Sequence, residues 1–477
     1  MNKLNYISIG ENGTFRGNGS FKTSPQDVDD IFICLRNENV ENITLHIHGG
    51  LIDESAGIQI AKMMTPVYSA VNSHPITFVW QTGPFDTIKD QILTIHKTKI
   101  FKFILKTVAK IVINYFRMLV NKKEVIRFED SHIEEELTKD IPFAFLDNMD
   151  DINREILNNK LSDVLIFDSL LLETEFLIEF DSNSEFEELI ETDKEGIILF
   201  KKEIRESLNY KNSNFMGALK ISMSKVVRRI VLRFKRRRDH GAMATFTEEL
   251  LRELYIDNLG SYIWDGMKLK AREMWDSNNG LSGDNQHAAR YFLDKLEKLK
   301  KDQPEIKINC VGDSAGSIVI CHLLGLIAAE KYKCTFETIT FLAPACRVKL
   351  FNNHIVNNPS MFKRFRIFTM GDYYEIRDHL LGKVYPRSLL YLVSGLLEKG
   401  FDEYILGLER HVSAKFPYNN SRELKIANKF LYSSSYDRLV YSVTPDSAPV
   451  GKRSQSRKHG DFDCDHLTQE SLQKIIR

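Results

Sequence analysis

The sequence predicts an α/β protein: a mostly parallel sheet flanked by helices, with a long helical insertion in the chain. Three observations lead there. Short apolar runs rich in β-branched and aromatic residues recur at 43–48, 76–80, 305–311, 338–342 and 366–370, separated by helical stretches, as parallel strands require. Most of these runs end on glycine or proline, at Gly49-Gly50, Gly83-Pro84, Gly312, Pro344 and Gly371. Between about 85 and 275 glycine and proline thin out and the segments lengthen to helical sizes.

In chain order, residues 6–9 read as a strand, with a further extended piece at Thr14-Phe15. A helix over 27–36 follows, with Ser24-Pro25 as its start signal. The strand at 43–48 runs into Gly49-Gly50, and the strand at 76–80 ends at Gln81-Thr82-Gly83-Pro84. Three segments result: 1–84 as the first part of the core, 85–275 as the insertion, and 276–477 as the second part of the core. Within the insertion, 101–119 is apolar and basic, 129–202 acidic, and 216–238 basic again. Lys102, Lys106, Lys110 and Arg117 share one helical face, opposite Phe103, Ile104, Ile111, Val112 and Phe116. Such a helix packs on a core with its basic face in water. The same pattern also suits peripheral docking on an anionic membrane or a protein partner, and it is too charged to span a bilayer. The cations from Lys225 to Arg238 have a possible internal complement in Glu185, Glu187 and Glu188.

After the insertion, 288–300 reads as an amphipathic helix through Tyr291, Phe292, Leu293 and Leu296. Next come the strand 305–311, a helix over 317–330, the strands 338–342 and 366–370, and an extended stretch at 438–443. A polar loop then leads to His459, and Thr468 caps a closing helix through 475.

Composition narrows the function classes. Hydrophobic content of 43% and charged content of 27% are those of a soluble globular chain. With 65 cations against 65 anions, no global field argues for nucleic acid, and no nucleic-acid motif is present. Cys34, Cys310, Cys321, Cys334, Cys346 and Cys464 are scattered without a C-x-x-C pair, so they read as small hydrophobes in a reducing setting. The first ten residues lack a basic segment followed by an apolar one, which predicts no secretory signal and a cytoplasmic location.

Chemistry concentrates at Gly312-Asp313-Ser314-Ala315-Gly316, between a strand and a helix, the context of a nucleophile elbow. Gly312 and Gly316 permit the tight turn, and Ser314 is aimed at the helix N-terminus, where N–H groups stabilise developing negative charge. A serine needs an adjacent base. His411, His459 and His466 follow both the elbow and the strand at 366–370. His459, in the loop after the last strand, is best placed, and His466 is next. The acid that orients the base belongs just past a strand, where Asp372 stands, with Glu375 and Asp378 in the same loop. Asp372 beside Gly371 is equally a turn-stabilising aspartate. Oxyanion donors are expected from the N–H of Ala315 and from Gly49 or Gly50, with His48 fixing that loop and His46 in a lesser role. Asp461 to Asp465 begins like a calcium loop but has His466 at its sixth place and Leu472 at its twelfth, so no metal site is expected.

The order His48-Gly49-Gly50, then the elbow, then an acid after a strand, then His459-Gly460, resembles the α/β-hydrolase superfamily. The first two motifs resemble the hormone-sensitive-lipase-like esterases. The resemblance covers 43–83 and 305–466. It implies an α/β-hydrolase fold with the insertion as a cap over the active site. It also implies a Ser314–His459–Asp372 triad, an oxyanion hole from Gly49, Gly50 and Ala315, and a serine hydrolase needing no cofactor. The expected substrate is a carboxylic ester of a lipid or other apolar acyl group, and Phe143, Phe145, Leu146 and Phe176 of the cap are candidates for its pocket. Two alternatives use the same residues: a peptidase or amidase, and a conditionally activated hydrolase effector, as in bacterial defence, whose cap docks a partner or membrane. The chain departs from the esterase pattern at Leu51 and Ser317, where further glycines are usual, and lacks the D-P-x-x-D acid motif.

Overall fold

Each of the apolar runs becomes a strand buried along nearly its whole length, as a parallel sheet covered on both faces requires. The computed structural model describes residues 2–17, 19–80, 82–83, 85–120, 128–148, 184–208, 212–255, 260–433 and 438–477. They fall into two units. The first comprises Met1–Phe85, Ile263–Asp378 and Glu403–Arg477, the second Asp86–Tyr262 and His379–Asp402.

The first unit holds a seven-stranded sheet of β1 (Tyr6–Ile9), β2 (Asn42–Ile47), β3 (His74–Trp80), β4 (Lys307–Asp313), β5 (Phe336–Leu342), β6 (Phe362–Met370) and β7 (Leu439–Ser442). All pairings are parallel, in the order β1-β3-β2-β4-β5-β6-β7. Thr14 forms only an isolated bridge with His287, not a strand. The chain passes from β2 to β3 on one side and re-enters the sheet at β4 on the other. Strand order therefore reverses between β2 and β4, where an open α/β sheet leaves its ligand crevice.

Helices Glu54–Ser69 and His466–Ile476 cover one face, where Met64, Tyr68, Leu472 and Ile476 pack on Val311, Leu342, Phe368 and Val440. On the other face Phe32 and Phe292, from helices Pro25–Asn37 and Ala288–Asp302, close against Phe78. Arg290 there pairs with Glu330, tying helix Ala288–Asp302 to helix Gly316–Glu330. Ser24 caps the first helix in a box with Asp27. The closing helix is capped by Asp465, whose carboxylate takes the Thr468 N–H. Thr468 itself lies three residues further in.

The second unit is helical among its described residues. Helix Lys99–Val120 is buried nearly all round, from Phe101 and Ile104 to Phe116. Its basic face meets helix Asp130–Thr138, with Lys106 on Glu134 at 2.6 Å and Lys110 on Asp130 at 3.2 Å. Phe143 and Leu146 are core residues of this unit and Phe145 is exposed, while Phe176 lies outside the described residues. The unit ends at Tyr262 rather than near 275, because Trp264, Met267, Met274 and Trp275 are buried in the first unit, with Trp275 against Phe78. It also takes in His379–Asp402, a segment without a composition change to mark it.

Cations of helix Asn212–Lys235 pair with Glu248, Glu249 and Glu253. Arg233 is buried between Glu248 (2.7 Å) and Glu249 (3.0 Å). His240 bridges Glu248 (2.9 Å) and Asp402 (3.1 Å), and the Tyr385 hydroxyl donates to Glu248 at 2.5 Å. Burial alone would raise the Glu248 carboxyl, yet His240 and Arg233 beside it hold it at about 2. Stripping one partner from such a network leaves a buried charge alone. Arg233→Met should therefore cost about 3–5 kcal/mol. Arg229→Met, at a side chain 22% exposed, should cost clearly less. Thermal unfolding followed by circular dichroism measures both, and an unchanged melting temperature in Arg233→Met would show the network adds no stability.

Candidate active site

Ser314 sits at the C-terminal end of β4 with φ of +45°, in the left-handed region that a non-glycine residue enters only under strain. The strain is held by four hydrogen bonds. The Ser314 N–H donates to the Leu342 carbonyl at 2.8 Å, and its carbonyl accepts from Ser317 N (3.2 Å), Ser317 Oγ (2.6 Å) and Ala345 N (3.0 Å). Ser317 Oγ also accepts from the Cys346 N–H at 3.2 Å, so the hydroxyl joins the elbow to the loop after β5. That is what this chain gains from serine where a glycine is usual. The two elbow glycines answer a steric demand: a Cβ on Gly316 would stand 2.1 Å from the Ile47 carbonyl oxygen, and one on Gly312 2.7 Å from Ile320.

His459 opens a one-turn helix after β7 and reaches Ser314 with Nε2 at 2.9 Å from Oγ. Its backbone is pinned from both sides: Asp378 accepts the His459 N–H at 3.0 Å, and Asp461 accepts those of Lys458 and Arg457. Of the other two histidines, His411 is buried and bonded to the Ile405 backbone, and His466 is exposed beside Glu470.

Among the described residues no carboxylate meets the far side of the ring. Nδ1 of His459 has no hydrogen-bond partner among the described residues. Asp372 therefore does not bond the ring. It begins the turn Asp372–Glu375, and its own N–H is taken by Glu409 at 2.8 Å. Glu375 is fully buried, and Asp378 is the member of the three that touches His459. Burial lowers the His459 imidazole to about 4, so it stands neutral at pH 7, with Nε2 ready to accept the serine proton.

The loop after β2 is locked by His48. Its Nδ1–H donates to the Gly49 carbonyl at 2.6 Å and Nε2 accepts the Trp80 N–H at 3.2 Å, while the Trp80 indole donates to the His48 carbonyl. Both ring nitrogens are thus spent on structure, and burial takes this imidazole to about 4. His46 instead meets the Tyr68 hydroxyl at 2.8 Å. Gly49 and Gly50 bring the loop onto the elbow: a Cβ on Gly49 would lie 3.3 Å from Ser314 Cβ, and one on Gly50 2.8 Å from Ala315 Cβ. The Gly49 N–H is given to the Asp313 carboxylate. The N–H groups of Gly50 and Ala315 donate to no acceptor among the described residues. Two unspent N–H groups beside a serine, at a helix N-terminus, are the kind of donors that can meet a negatively charged oxygen. Sequence reasoning missed the role of Asp313. Its carboxyl, raised by burial and by neighbouring Asp463, holds the glycine loop.

No family model matches the chain, no curated protein matches it, and no solved structure matches it. Among the described residues no helix is long and apolar enough to cross a membrane.

If His459 serves as a base it must be neutral, and its depressed pKa then sets the acid limb of any pH profile. On that condition kcat/KM, which reports the unliganded protein, should stay level down to about pH 5.5 and fall with a midpoint near 4. Circular dichroism at each pH separates this from unfolding. Unfolding pulls the same way: a buried histidine near 4 that titrates at 6.5 when unfolded withdraws stability as pH falls through that window. A midpoint near 6.5–7 in the folded protein would show a carboxylate engaging Nδ1 in solution.

Proposed function

We propose that the protein is a serine hydrolase of the α/β-hydrolase type, cleaving a carboxylic ester of an apolar acyl group. One observation carries this reading: a strained elbow serine lies 2.9 Å from the neutral imidazole of His459. The parallel sheet, the elbow at the C-terminal end of a central strand, and glycine-loop and Ala315 N–H groups beside it are the setting such chemistry uses.

In this mechanism His459 takes the Ser314 proton as Oγ attacks the ester carbonyl. The tetrahedral oxyanion is held by the Gly50 and Ala315 N–H groups. The imidazolium then returns its proton to the leaving alcohol, giving the acyl-enzyme, and water repeats the steps in reverse. The Nδ1–H of the imidazolium calls for a carboxylate. Among the three acids of the loop after β6, Asp378 is favoured, because it already grips His459 through its backbone.

A fluorophosphonate probe should label the wild type and not Ser314→Ala, and p-nitrophenyl esters should be turned over faster than the matching anilides. No labelling of folded wild type would end the hydrolase reading, and preferential anilide turnover would move it to an amidase. Asp378→Asn should lower kcat by at least about tenfold, because it loosens the backbone grip that positions His459. Asp372→Asn should cost less than about tenfold, and the reverse ranking would give the role to Asp372.

A further inference from the structure

At the N-terminal ends of β5 and β6 lies a cavity of about 650 Å³ whose charged lining is of one sign. Lys363, Arg364, Arg366, Arg438, Lys452 and Lys474 contribute to it, and no aspartate or glutamate is among the described lining residues. The chain has as many anions as cations, and even with Glu337 paired to Lys363 and Arg364 from outside the lining, the cavity keeps a cationic excess. A neighbouring cavity of about 680 Å³ gives an internal control. It is lined by Glu41, Glu305, Lys307 and Arg477 with polar and apolar residues, two acids against two bases. Concentrated positive charge is therefore particular to the first cavity and not a property of that end of the sheet.

The cations are set in place by local structure. Arg366 donates to the Gly451 carbonyl at 2.5 Å, and Arg438 donates to the Phe430 carbonyl at 2.7 Å while lying over the Phe430 ring. Lys363 and Arg364 are steadied on the rim by Glu337. Lys474, exposed on the closing helix, has no ion pair among the described residues. The rest of the lining is apolar: Ile339, Phe362, Phe365, Pro449 and Val450. Guanidinium forks select phosphate oxygens, and several cations lining one concavity suit a ligand carrying more than one negative charge. The volume falls in the range of small-molecule sites, and the apolar wall gives a ring or chain somewhere to rest.

We infer that this cavity binds a small phosphorylated ligand of nucleotide size, at a site separate from the serine. β5 and β6 are seven and nine residues long and parallel to β4, so their N-terminal ends lie roughly 20 Å from the edge that carries Ser314. The inference does not depend on the hydrolase reading.

The test is fluorescence titration of the full-length protein with trinitrophenyl-ATP, followed by competition. The probe should bind, ATP should displace it more tightly than inorganic tripolyphosphate, and adenosine should not displace it. Lys452→Glu/Lys474→Glu should weaken binding by at least about tenfold, with Lys474→Glu alone weakening it in part should the double variant fold poorly. Ser314→Ala should bind as wild type does. No binding up to about 1 mM probe, or unchanged affinity in the folded charge-reversed variants, would overturn the site. Equal competition by tripolyphosphate would remove the apolar wall from the argument, and displacement by adenosine would remove the charge. Either would overturn the assignment.

Discussion

Everything at the candidate active site depends on one backbone contact, the approach of Gly316 to the Ile47 carbonyl. It joins the first turn of the helix after β4 to the end of β2, at the place where strand order reverses. Because the two backbones touch there, the loop that follows β2 and the turn that carries Ser314 are neighbours rather than merely parallel. The left-handed backbone of Ser314 costs on the order of 1–3 kcal/mol, and bonds from Ser317, Ala345 and Leu342 hold the residue in it. The strain therefore sits where a side chain must project from a sharp turn, and the surrounding sheet is what maintains it.

Buried titratable groups in the two units show two ways of meeting desolvation. In the first, histidines are buried neutral: His46, His48 and His459 are all pushed to about 3 or 4 by desolvation. For His48 both ring nitrogens are satisfied, so the low pKa describes a fixed strut. For His459 one nitrogen faces the serine and the other is unmet, a buried donor worth about 1–3 kcal/mol to any acceptor that reaches it. In the second unit His96 is likewise lowered to about 4 by burial, but one buried cluster is charged and paired. Arg233, Glu248 and Glu249 survive burial because each has an opposite charge within 3.0 Å.

Most of the architecture was legible from residue pattern. The apolar runs ending on glycine became the central strands, Ser24-Pro25 became a cap, and Gly312-Asp313-Ser314-Ala315-Gly316 became an elbow, because these signals are local: period, turn chemistry and steric size act within a few residues. His459 was singled out by position after the last strand, and its ring is at the serine. What local pattern did not carry was pairing across the chain. Asp372 has the right neighbours in sequence, yet the turn it opens gives its N–H to Glu409 and leaves Asp378 on His459. The basic helix found its acids at Glu248, Glu249 and Glu253, and the segment His379–Asp402 joined the second unit without a compositional mark.

The sequence by itself determined which segments are strands, where the sheet turns, and that a serine is forced out of one of those turns. Only the tertiary structure decided which carboxylate meets which histidine, that Asp313 holds the glycine loop, and that six cations from β6, from the residue before β7 and from the chain after it line one cavity. The reason is range. Steric and hydrogen-bonding demands of a turn are written in adjacent residues. Charge partners are chosen by the packing of strands and helices distant in the chain, and a single sequence records that choice only through the fold it makes.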